Sequence, residues 1–106
     1  MHTNSELEKL TVIYRDSFPK KKNQLNEAFQ LILEKEWSKE SLSVLKHLAH
    51  KLSGSTGLYG FTELSTVIQA LEKAIDRFKQ TEPEKERIKK LFSEAIELLN
   101  RTINSN

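Results

Sequence analysis

The stretch His47-Leu48-Ala49-His50-Lys51-Leu52-Ser53-Gly54-Ser55-Thr56-Gly57-Leu58-Tyr59-Gly60 holds all 3 glycines of the chain. A glycine inside a helix costs about 1 kcal/mol relative to alanine, so their gathering beside one histidine calls for a reason. Successive helical residues turn by about 100 degrees. With His50 as origin, Ser43, Lys46, His47, Ser53, Gly54 and Gly57 all lie within about 60 degrees of it. Leu45, Leu48, Leu52 and Ser55 point the opposite way, flanked by Leu42, Ala49 and Thr56. The stretch thus reads as an amphipathic helix whose polar face is centred on His50. Gly54 and Gly57 come next along that face and leave the imidazole ring unobstructed, which suits the close approach of something large. Small Ser55 and Thr56 admit a tightly packed helix behind, and Gly60 ends the helix or turns the chain.

Outward from this stretch, caps and periodicity mark the other elements. Upstream, Trp37-Ser38-Lys39-Glu40-Ser41-Leu42 makes Ser38 an N-cap, with Trp37 and Leu42 at the positions of a hydrophobic staple. Before it, a helix starting at Ser17-Phe18-Pro19 and fading near Glu36 turns Leu25, Ala28, Phe29, Ile32 and Leu33 inward. Proline suits a first turn and breaks a later one. A short leading helix from Ser5, with a Ser5–Glu8 capping box, offers Leu7, Leu10 and Tyr14 as its apolar side. Downstream, Phe61-Thr62 opens a helix that turns Leu64, Val67, Ile68, Leu71, Ile75 and Phe78 inward. Thr81 and Glu84 form a second capping box, Pro83 sits in the first turn, and the last helix buries Ile88, Leu91, Phe92, Ala95, Leu98 and Leu99. The tail from Asn104 is expected to fray. No segment alternates at period two, so the expected fold is all-α: an antiparallel four-helix bundle with a short additional N-terminal helix, one domain over residues 1–106.

The 17 basic and 15 acidic residues leave a net charge of only +2, which gives no concentrated basic face for nucleic acid. The Lys20-Lys21-Lys22 run reads as a solvated face near a helix start. No apolar run approaches a membrane span, no signal peptide is visible, and the absence of cysteine excludes thiolate metal sites and Cys nucleophiles. A cytoplasmic monomer is expected. His47 and His50 at i, i+3 could share a metal, but no H-E-x-x-H pairing accompanies them and both face solvent. His2 belongs to the terminus. No Walker motif, kinase glycine loop or catalytic triad is present.

Ala49, His50, Leu52, Gly54, Ser55 and Gly60 resemble the signature of histidine phosphotransfer (HPt) domains. The entry EKEWSKESL and the downstream FTELSTVIQALE, with its Leu71-Glu72, are similar to that family's flanking pattern, and the likeness covers nearly the whole chain. The family usually carries a lysine three residues after the histidine, near the phosphoryl group, where this chain has Ser53. Lys46 or Lys51 could supply that charge, and a lysine restored at 53 is expected to act there too. The resemblance implies that His50, through Nε2, accepts a phosphoryl group from the aspartate of a response-regulator receiver and passes it to another. Lys46, His47, Lys51, Ser53, Gly54 and Gly57 would form the phosphoryl and partner-binding face. The chain would be a carrier with no cofactor of its own and no independent catalytic apparatus. Mg²⁺ would sit on the receiver, and a hybrid sensor histidine kinase would be a further partner. The alternative reading is an adaptor that binds a receiver or kinase without carrying phosphate.

Overall fold

The structure, a computed structural model, describes the backbone of residues 4–105 and side chains from residue 6. It is all-α, with helices α1 (Asn4–Arg15), α2 (Phe18–Glu34), α3 (Lys39–Leu58), α4 (Thr62–Asp76) and α5 (Glu82–Asn104). The Ser5 side chain, and with it the expected Ser5–Glu8 capping box, lies outside the described residues, as does His2; the helix already includes Asn4. Helices α2 to α5 form an antiparallel ring in which α2 packs on α3, α3 on α4, α4 on α5 and α5 back on α2. Their inward stripes bury Leu25, Ile32, Leu45, Ile68, Leu71, Ile88 and Leu99 almost completely.

The helix ends follow their local chemistry. Ser38 Oγ accepts a bond from Ser41 N (3.2 Å), and Trp37 and Leu42 both enter the core, as a staple requires. Before that cap the chain reverses through Glu36 and Trp37, both with positive φ, a conformation that costs a non-glycine residue roughly 1–2 kcal/mol. Burial of the Trp37 indole against Phe29 and Phe78 offsets that cost, and Gln80 Nε2 donates to the Trp37 carbonyl. At the end of α3, Gly60 adopts a φ of 84°, donates its N–H to Gly57 O, and Phe61 N reaches Thr56 O at 2.8 Å. This pair of bonds is a Schellman motif, and the left-handed position explains the third glycine. The Thr81–Glu84 capping box closes the start of α5, which runs through Asn104.

Two inward assignments are corrected. Leu7 and Leu10 are 54% and 50% exposed, because α1 stands outside the ring. α1 meets the bundle through Tyr14, stacked on Tyr59 and hydrogen-bonded to Ser55; burial pushes the Tyr14 hydroxyl above its usual pKa, partly countered by that bond. Leu33 is likewise exposed on the outer side of α2. Phe18, by contrast, is fully buried against Phe61 at the turn from α1 to α2, so the Ser17-Phe18-Pro19 break also anchors the bundle's end.

Candidate functional site

The polar arc of α3 is cut in two by α4. The helices run antiparallel, and three contacts share one register: Lys46 with Asp76, His50 with Glu72, and Gly57 with Ser65. Residue numbers rise along α3 as they fall along α4, as in any antiparallel pair. The side of the arc carrying Lys46, Ser53 and Gly57 therefore faces α4. The side carrying Ser43, His47 and Gly54 stays in solvent.

This division corrects the expected places of three residues. Ser53 is not on an open face: it is only 7% exposed, its Oγ donates to His50 O, and its carbonyl accepts from Ser65 Oγ at 2.9 Å. Gly57 is exposed but lies beside α4. A Cβ there would stand 3.2 Å from Ser65 Oγ, so this glycine lets α3 and α4 approach. Lys51 turns away from the histidine and lines the groove between α2 and α3 with Tyr14 and Lys21.

Lys46, His47 and His50 do come together, with Ser43 and Glu72, around a shallow open groove. Gly54 adjoins His50 on the same helix, and a Cβ at 54 would meet nothing within 4 Å. The side chain of His50 is 73% exposed, whereas that of Glu72 is 20% exposed. His50 Nδ1 lies 2.8 Å from Glu72 Oε2. A carboxylate only accepts hydrogen bonds, so Nδ1 carries the hydrogen, and the neutral form of the ring is the tautomer whose Nε2 lone pair faces solvent. Lys46 Nζ is bonded to Asp76 Oδ1, and that hydrogen bond and charge hold its ammonium above the usual lysine pKa.

Glu72 is the site residue that the sequence reading left without a role. The available signal was a matched pair of spacings. Lys46 and His50 stand four apart on α3, and Glu72 and Asp76 stand four apart on α4. Among the described residues no group of three or more His, Asp or Glu side chains is arranged to hold a metal ion. No described helix is long and apolar enough to cross a membrane.

Comparison with known families matches residues 9–102 to the Hpt domain family. No curated protein and no solved structure gives a significant match.

Proposed function

The chain belongs to the Hpt domain family, and we propose that His50 is its phosphoacceptor, exchanging a phosphoryl group with receiver-domain aspartates. Hpt domains have a histidine phosphotransfer role in phosphorelays, as carriers that interact with response-regulator receivers and kinases. The observation that carries the assignment to His50 is the Glu72 contact: it occupies Nδ1 and leaves Nε2 open beside the bare surface at Gly54.

In the forward step the Nε2 lone pair forms a bond to phosphorus. The bond from phosphorus to the aspartyl oxygen breaks, and the aspartate leaves as a carboxylate. No proton has to move. The ring keeps its Nδ1 hydrogen and becomes cationic, and the adjacent Glu72 carboxylate neutralises that charge. The reverse step returns the phosphoryl group to a second aspartate by the same geometry. Phosphoryl transfer needs mainly positioning and charge neutralisation. His50 and Glu72 supply the nucleophile and its orientation; the receiver supplies its aspartate and Mg²⁺. Lys46, held at the groove by Asp76, adds positive charge near the incoming phosphoryl oxygens, in place of the lysine that the family has where this chain has Ser53. The same reading places the chain in the cytoplasm as a monomer, between a hybrid kinase and a response regulator.

The test is incubation with a phosphorylated receiver domain. Wild-type protein gains an acid-labile phosphate, and His50→Gln gains none while its helix content and melting temperature are unchanged. Phosphate on the His50→Gln variant would move the site to His47 or elsewhere. Receiver binding without any phosphate on the wild type would support the adaptor reading.

A further inference from the structure

Helix α4 carries its charges on two separate sides. Glu72 and Asp76 face α3, where they engage His50 and Lys46. Lys73 and Arg77 lie on the other side and line a groove between α4 and α5, which Arg87 enters from α5. All three cations are exposed, and among the described residues none of them pairs with a carboxylate. Glu84 borders the same groove, but its Oε1 already accepts from Lys79 N, Thr81 N and Thr81 Oγ1. Lys73 stands in the last turn of α4 and Arg77 is its C-cap, so both positive charges gather at the helix's C-terminal end, where its dipole favours them. Between the cations, Ala70 and Ala74 are partly buried and carry the smallest side chains available to a helix surface, so the groove has a low floor.

We propose that the α4–α5 groove docks a carboxylate-rich segment of a partner protein, with Lys73, Arg77 and Arg87 as the contacting residues. Guanidinium groups suit carboxylates because they can donate two parallel hydrogen bonds. A segment of chain fits between the cations, over the alanine floor. Duplex nucleic acid is a poor occupant, since it needs positive charge spread along a phosphate backbone and this chain's net charge is only +2. A membrane is a poor occupant as well: no large exposed apolar side chain lines the groove, and Leu7, Leu10, Val12 and Ile13 belong to α1. The other basic run is partly engaged already, with Lys21 over the Tyr14 ring and Lys22 bonded to Asn100. The groove opens on the side of α4 away from His50, so an acidic segment can stay docked there while the histidine is engaged.

Fluorescein-labelled octaglutamate titrated into the full chain tests this without any phosphotransfer. The wild type and His50→Gln should bind it at low salt and release it as salt rises. The combined variant Lys73→Gln, Arg77→Gln, Arg87→Gln should lose at least roughly tenfold in affinity, as expected when several charge-assisted hydrogen bonds go. Lys20→Gln, Lys21→Gln, Lys22→Gln should bind as the wild type does. Three results would each overturn the proposal: equal binding by the groove variant, loss in the Lys20–Lys22 variant instead, or tighter groove-dependent binding of duplex DNA or phosphatidylserine vesicles than of octaglutamate. Should the combined variant fold poorly, Arg87→Gln alone must still weaken binding, and unchanged affinity there is equally fatal.

Discussion

His50 Nδ1 and Glu72 Oε2, one on α3 and one on α4, are joined by a 2.8 Å hydrogen bond that orients the imidazole with Nε2 outward. Removing the acceptor by Glu72→Ala frees the ring and its tautomer, and the phosphorylated ring loses its counter-charge. We expect a fall of about tenfold in transfer rate, as for a lost hydrogen bond to a charged group at a partly exposed site. Glu72→Gln still accepts from Nδ1 through its amide oxygen, so it should keep the tautomer but lose part of the rate. Nitrogen chemical shifts of His50 report the tautomer directly. An unchanged tautomer and rate in Glu72→Ala would remove Glu72 from the mechanism.

Gly54 and Gly57 should respond differently to alanine. At Gly54 the added Cβ meets open space, so the helix gains stability, by up to about 1 kcal/mol. At Gly57 it meets Ser65 Oγ, which is itself held by Ser53 O and Gln69 Nε2, so the gain should shrink or reverse. Thermal melts of Gly57→Ala with and without Ser65→Ala separate the two terms, because removing the hydroxyl should restore the gain. Gly54→Gln should fold normally and transfer slowly, its side chain filling the approach to the ring; normal transfer by that variant would sink the access explanation.

Putting a lysine at 53 should not rebuild the family's pattern. The Ser53 side chain is covered where α4 packs against α3, and a lysine there must either bury its charge or push α4 aside. Ser53→Lys is therefore expected to lower the melting temperature and to fail to rescue any other lysine loss. A stable variant with faster transfer would show that α4 yields more readily than its contacts imply.

Lys46→Ala should slow transfer at low ionic strength, with the difference from wild type narrowing as salt is added, since exposed charges are screened. Equal rates across a salt series would mean that its pairing with Asp76 is purely structural.

The capping box predicts a pH dependence. Hydrogen bonds to Glu84, first from Thr81 and then from the backbone N–H groups of Lys79 and Thr81, hold its carboxyl below the usual glutamate pKa. A lowered folded-state pKa contributes stability that is complete above the unfolded value, about 4.3, and is lost as pH falls through the folded one. Glu84→Gln should flatten this part of the acid limb in melts recorded from about pH 5 downward. Thr81→Ala should cost about 1 kcal/mol as a lost N-cap.

The helices were legible because their signals are local. Ser38, the Thr81–Glu84 pair, Pro19 and the heptad-like spacing of Leu64, Ile68, Leu71 and Ile75 each act within a turn or two of chain. His50 was legible for the same reason: an angle of about 100 degrees per residue fixes which side chains share its direction. Direction along a helix does not say which neighbour lies there. That choice belongs to the antiparallel register of α3 and α4, set by long-range burial of Leu45, Ala49, Ile68 and Leu71. The register gave His50 its carboxylate and Lys46 its aspartate. It covered Ser53, brought Gly57 against Ser65 and left Gly54 bare. The same closure of four helices into a ring left α1 outside, so Leu7 and Leu10, apolar by pattern, remain in water. An amphipathic sequence specifies that a face prefers burial; only the packing of the other helices determines whether anything is there to bury it.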